Sequence, residues 1–306
     1  MKDKGGQDMY LSDSLIYDIW LSGIKGIGTA AQHVLLDAFG FPSEVYHASG
    51  TDLADAGISE KRRKLVLEAR DLESAKRRLD RCNELGIFLL TSQDDLYPEN
   101  LKYLPDMPIL LYGKGKQELF APDADLGIDL EAKWQPYGSD YKPTSLDWWW
   151  VDEPLIDFPH RKVGIVGAGR CTREDKKNCI ARVEQLARER SGVIIISGGA
   201  KGIASYAHKA AIKNGLRTIA FVGTGPDRCY PKEHTDLFEQ ICERGMILSE
   251  YPPGTEAKPY YFPRRKRLIA GWSDEMYIIA AGRNSGTNTT RRYFEKYHGG
   301  RYRSCC

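Results

Sequence analysis

The chain has 306 residues, of which 42% are apolar and 28% charged, an ordinary globular balance with room for two domains or one large one. Its net charge of +2 conceals an asymmetry: residues 1–161 hold 18 Lys and Arg against 28 Asp and Glu, whereas 162–306 hold 26 against 14. That places a polyanion among the ligands expected for the second half. The seven cysteines, at 82, 171, 179, 229, 242, 305 and 306, include no Cys-x-x-Cys pair, so neither a disulfide framework nor a zinc site is implied. MKDKGGQDMY has no apolar signal core and no run approaches about eighteen apolar residues, so the chain reads as cytoplasmic, without a membrane partner.

In chain order, 14–22 and 29–40 carry apolar residues at three- and four-residue spacing and read as helices joined by Gly23-Ile24-Lys25-Gly26-Ile27-Gly28. This is helix-hairpin-helix spacing. In that motif the turn offers backbone N–H groups to a DNA phosphate and Lys25 adds a charge, although the same turn also packs helices in proteins that never touch nucleic acid. Helices are expected at 43–49, 51–56 and 59–84, the last ending before Gly86. Ile87–Leu90 and Ile109–Tyr112 read as strands that extend a sheet. Residues 117–160 break the pattern with ten acidic residues, two basic ones, four tryptophans and the run Trp148-Trp149-Trp150. Disorder is the default for such composition, while the tryptophans argue that part of it packs. An acidic aromatic segment tethered beside a basic half either covers that half's groove or forms a separate surface loop.

Residues 162–211 are the organising unit: an apolar run at Val163–Val166, a turn at Gly167-Ala168-Gly169, a helix, a second apolar run at Val193–Ile196, a turn at Ser197-Gly198-Gly199 and another helix start. Continuous apolar strands joined by a helix imply a parallel sheet buried on both faces. Both turns then open at one sheet edge, where N–H groups at helix N-termini favour phosphate. Thr172 occupies the third glycine position of a dinucleotide fingerprint, no acidic residue closes the second strand, and no Gly-Lys-Ser/Thr follows either turn. A phosphate cradle without a bound nicotinamide or other cofactor is expected. Further strands follow at 218–223, 246–248 and 276–281, with helices at 233–244 and 268–272. The fold class is therefore α/β, an extended Rossmann-like, mostly parallel sheet over 86–306, with a helical domain over 1–85.

Cations beside the turns complete the groove, because arginine and lysine neutralise phosphates and release counterions. Arg264, Arg265, Lys266 and Arg267 form a run after Phe262-Pro263; being ahead of the helix, they are expected to turn partly toward the glycine turns. Lys201 stands inside the second turn, Arg170 follows the first, and Ser197 has a hydroxyl to donate. With Gly167 and Gly198 these make up the expected binding set. His208 is expected to pack and hydrogen-bond, and Asp227 with Tyr230-Pro231 to shape a loop. No nucleophile sits with a base and orienter, and no metal-ligand spacing occurs, so catalysis is not indicated.

SGGAKGIASYAH (197–208), TIAFVGTGPDRCYP (218–231), LSEYPPG (248–254), FPRRKRLIAGWS (262–273) and Ser285-Gly286 together resemble, in order and spacing, the DNA-processing protein A (Smf) family. The resemblance covers most of 10–116 and 161–290. It implies an extended Rossmann fold that binds single-stranded DNA and hands it to a strand-exchange recombinase during natural transformation; a homodimer is one possible assembly, and dimerisation stays open. The family's first turn usually carries an arginine where Gly169 stands, its second an aspartate at Ala204, its Arg-Asn-Arg an asparagine at Lys266, and its Val-Glu-Ala a glutamate at Ala280. The chain also ends at GGRYRSCC, where the family continues with another strand. Two other readings stand beside this one: a Rossmann-like nucleoside monophosphate hydrolase, whose Pro-Gly-Gly-x-Gly-Thr turn and glutamate are lacking at Gly282–Thr287, and a relative that keeps the fold without the ligand.

Overall fold

The computed structural model describes residues 4–102, 104, 106–117, 161–189, 192–280, 286–299 and 303–305. Residues 118–160, with the tryptophan run, lie outside that set, as do Ala281 and Ser285. Six helices come first: α1 (Lys4–Gly23), α2 (Thr29–Phe39), α3 (Pro42–His47), α4 (Gly50–Asp55), α5 (Glu60–Glu68) and α6 (Leu72–Glu84). The expected helix over 59–84 is thus two. Its break has a clear cause: Asp71 accepts from the Ser74 amide and caps a new helix. The carbonyl of Ala69, just after α5, meanwhile accepts from Trp20 Nε1 at 2.6 Å. The turn between α1 and α2 forms as expected, with Gly26 at φ +88° and Lys25 exposed.

The rest builds one sheet. β1 (Phe88–Thr91), α7 (Glu99–Lys102) and β2 (Leu110–Gly115) precede the described part of the second half. There follow β3 (Arg161–Gly167), α8 (Arg173–Glu189), β4 (Val193–Gly198), α9 (Ile203–Lys213), β5 (Arg217–Phe221), α10 (Thr235–Arg244), β6 (Gly245–Ser249), α11 (Tyr261–Gly271), β7 (Glu275–Ile279), α12 (Thr287–His298) and β8 (Arg303–Cys305). Among the described residues the sheet has eight strands in the order β1-β2-β6-β5-β4-β3-β7-β8. All neighbours from β6 to β8 are parallel, and β2 joins β6 and β1 antiparallel. The mostly parallel α/β class expected from the apolar runs is what forms. Two expectations are corrected. The helix expected at 268–272 begins at Tyr261, because Pro263 sits in the first turn, where its missing N–H has no intrahelical acceptor to serve. A further strand, β8, does pair with β7.

Alternation within the strands divides the core as full burial requires. Val163, Ile165, Val193 and Ile195 pack with Cys179, Val183 and Leu186 of α8 and with α9 on one face. Ile194, Ile196, Ile219 and Phe221 pack with Leu268 and Ile269 of α11, Trp272 just after it and Phe294 of α12 on the other. The N-terminal helices bury their apolar faces around Ile19, Leu35, Leu53 and Val66, and that cluster continues through Ile109 and Tyr112 at the β1–β2 edge. Chain growth from β3 runs through β4, β5 and β6 and then returns to place β7 on the other side of β3. In open α/β sheets a crevice at the carboxyl ends of the strands forms at such a reversal, and ligands bind there.

Candidate phosphate-binding cleft

A cleft of 810 Å³ opens at that edge, between the two glycine turns, the loop at Tyr230-Pro231, α11 and the start of α12. The turns are joined to each other. Gly202, at φ +82°, lets the chain double back so that the Ile203 amide donates to Ala168 O at 3.1 Å. That amide, at the start of α9, is therefore occupied by the first turn and is not among those open to a ligand. Gly167 is required by closeness: a Cβ there would lie 2.2 Å from Ile279 O. Thr172, which breaks the dinucleotide fingerprint, caps α8 instead. Its hydroxyl accepts from the Asp175 amide at 3.1 Å, and Asp175 accepts from the Thr172 amide at 2.8 Å.

Arg265 dominates the electrostatics of the cleft. It projects from α11, is 7% exposed, lies against Gly198, where a Cβ would come within 2.9 Å of Nη2, and stands 5.1 Å over the Phe262 ring. Nη1 donates to Phe221 O at 3.2 Å. Burial pulls its pKa down to about 10, leaving it cationic at neutral pH, yet among the described residues no carboxylate pairs with it. A buried charge without a counter-ion is costly, and an anion in the cleft removes that cost. Lys266 also lines the cleft, donating Nζ to Gly286 O at 2.8 Å; burial and the Arg265 charge lower its pKa.

The remaining expected residues divide. Gly167, Ser197, Gly198 and Lys201 line the cleft with Arg265 and Lys266. Ser197 does so without a hydroxyl to offer, because Oγ is buried and donates to Ile165 O at 2.6 Å. Lys201 is exposed and pairs with Glu233 at 2.8 Å. Arg170 is exposed beyond the first turn and outside the cleft lining. Arg264 and Arg267 turn away to Glu250: Arg267 is buried with Nη2 on Oε2, and Arg264 Nε lies 3.6 Å from Oε1. Arg267 also donates to the carbonyl groups of Asp106 and Arg264. Its place is structural. Helical phase explains the split, since residues three apart share a face and their two intervening neighbours do not.

His208 packs as expected: it is fully buried, with Nδ1 2.7 Å from the Thr218 hydroxyl, and burial depresses its pKa to about 4, so it is neutral. Asp227 shapes the loop by accepting from the Gly254 amide at 2.8 Å. Above the cleft sit aromatic rings that the cation-based reasoning passed over. Tyr230 lines the cleft, is 51% exposed and has its ring 5.3 Å from that of Phe262, which lines it too. The legible signal was PYYFPRRK (259–266), in which aromatics directly precede the cations. Thr287 and Thr290 complete one wall from α12, and their spacing gave no sign of it. Among the described residues no group of His, Cys, Asp and Glu converges as metal ligands, and no helix is long and apolar enough to cross a membrane.

Comparison with known proteins gives a consistent picture. The sequence pattern of the DNA recombination-mediator protein A family matches residues 152–298. The chain is 34% identical over 197 residues to DNA processing protein DprA of Streptococcus pneumoniae, covering 64% of this chain and 55% of that protein. It is 29% identical over 282 residues to protein Smf of Synechocystis, covering 91% and 62%. The match thus spans between half and two thirds of these relatives' length. The crystal structure of DNA processing protein A from S. pneumoniae superposes with a TM-score of 0.67 at 25% identity, over 94% of this chain and 84% of that one. A structure describing the single-stranded DNA binding mode of DNA processing protein A from Helicobacter pylori gives 0.52 at 25% identity, over 71% and 80%.

Proposed function

We propose that the chain, which matches the DNA recombination-mediator protein A family over residues 152–298, is a member of the DNA-processing protein A (Smf) family, binds single-stranded DNA in the cleft at the glycine turns and acts in recombination without catalysing a reaction. The observation that carries this reading is Arg265, a buried guanidinium aimed into the cleft with no carboxylate beside it among the described residues. A phosphodiester supplies the missing charge, and Lys266 and Lys201 stand within the same lining. Tyr230 and Phe262 offer faces on which unpaired bases stack, which favours single strands because duplex bases are already stacked. By the same reading the protein protects incoming single strands in the cytoplasm, loads a strand-exchange recombinase and pairs as a homodimer.

Fluorescence-anisotropy titration with labelled oligonucleotides of several sequences tests the binding. Sequence-tolerant affinity that falls steeply between ~50 and ~200 mM salt is the expected result, since phosphate contacts release counterions. Affinity unchanged across that range, or hydrolysis of a nucleoside monophosphate in a parallel assay, contradicts the reading.

A further inference from the structure

Four consecutive cations at about 100° intervals round a helix cannot all face one ligand. On α11 the two halves of the helix are held by different forces. The C-terminal half buries Leu268, Ile269 and Ala270 in the core, whereas in the N-terminal half Tyr261 and Phe262 are only partly covered and Pro263 and Arg264 are exposed. What anchors that half is polar. Glu250, at the end of β6 and with its side chain 7% exposed, receives Arg267 directly and Arg264 at 3.6 Å. Arg267 is tied again to the Asp106 carbonyl, and Asp106 in turn receives Lys296 at 2.8 Å and Tyr297 at 2.7 Å from α12.

We propose that Glu250 is a positioning residue: by drawing Arg264 and Arg267 to one side of α11 it sets the helix phase at which Arg265 and Lys266 face the cleft. Glu250 itself lies outside the cleft lining and touches no ligand in this reading. The consequence for binding rests on the proposed single-stranded DNA function; the effect on Arg265 does not. The sign of the effect is informative. Replacing Glu250 by glutamine adds one unit of positive charge near the cleft, so charge alone predicts tighter binding of a polyanion. Loss of positioning predicts weaker binding, because Arg265 leaves its seat against Gly198.

The test is arginine modification by phenylglyoxal, read residue by residue by mass spectrometry on the full chain, alongside oligonucleotide binding. In Glu250→Gln, Arg265 is expected to react roughly tenfold faster than in the parent and single-stranded DNA to bind roughly tenfold more weakly, the scale of one charge-assisted hydrogen bond. Glu250→Asp, which keeps the charge, is expected to restore most of both. Should Glu250→Gln fail to fold, the paired change Glu250→Gln with Arg267→Gln, which leaves no unmatched buried charge, answers the same question. Unchanged Arg265 reactivity in whichever of these variants is folded overturns the proposal, whatever happens to binding; so does increased reactivity with binding as tight as the parent's. If the parent binds no DNA, the proposed function fails, and Arg265 reactivity alone decides the role of Glu250.

Discussion

Neighbouring arginines of one short run do different work. Arg265 faces the cleft with no carboxylate beside it among the described residues, while Arg267, two residues on, is buried against Glu250. Arg267→Ala is therefore expected to lower stability by about 3 kcal/mol, the near end of the cost of unmatching a buried ion pair, since Arg264 remains beside the carboxylate. Chemical denaturation measures it, and a loss below about 1 kcal/mol, the level of an exposed pair, contradicts the assignment. Position 169 offers the opposite kind of change. Gly169 is exposed, and a Cβ there meets nothing closer than Lys201 O at 3.8 Å. Gly169→Arg should fold normally and tighten single-stranded DNA binding by several-fold, the scale of one added phosphate contact. Unchanged affinity would show that Arg170 already supplies that contact.

Between elements, the second glycine turn is tied to the segment before α10 by the exposed pair of Lys201 and Glu233. Such pairs contribute little to stability, but this one holds a cleft cation on a carboxylate that an incoming phosphate must replace. Glu233→Gln is expected to leave the melting temperature nearly unchanged, to raise affinity for single strands, and to steepen the log–log salt slope by about one, as Lys201 joins the phosphate contacts. Equal slopes in parent and variant argue that Lys201 never reaches the strand. Elements of this kind were legible where chemistry is local. The paired apolar runs and glycine turns of 162–211 announced parallel strands and their shared edge, and Gly86 ended a helix where expected. The break between α5 and α6 was only half legible: Asp71 caps the new helix from within the segment, but the Ala69 carbonyl before it is met by Trp20, almost fifty residues away in sequence. The seat of Ser197 was hidden for the same reason: a hydroxyl's partner on a neighbouring strand is a matter of register, which single-sequence patterning does not carry.

Across the whole molecule the cations divide by what the fold places opposite them. Sequence supplied the candidates and the asymmetry between halves, and it did not supply Glu250 or Glu233 as their counter-ions, since both lie distant in sequence from the residues they bind. The N-terminal helices contain a partly buried acid of their own. Asp18 on α1 has its pKa raised to about 7 by burial, with the Asp94 charge adding to the effect. The native state thus keeps a proton that the unfolded chain releases above pH ~4. Stability from this group is present at low pH and is lost as pH rises through ~4 to ~7. Asp18→Asn should accordingly gain stability over the parent at pH 8 by up to about 4 kcal/mol, at about 1.4 kcal/mol per pKa unit, and little at pH 4. Thermal melts of both proteins at the two pH values check it, and a constant difference between them would contradict it.

The claim on which the account rests is that Arg265 meets a phosphate of single-stranded DNA in the cleft. Replacing it by methionine keeps much of the apolar stem against Gly198 and Phe262 and removes the charge together with its hydrogen bond to Phe221 O. Oligonucleotide affinity of parent and Arg265→Met, titrated over ~50 to ~200 mM salt, tests the claim most directly. The account predicts a folded variant that binds roughly tenfold more weakly or worse at every sequence, with a log–log salt slope flatter by about one. A folded Arg265→Met protein with the parent's affinity and the parent's slope would place the strand elsewhere on the molecule.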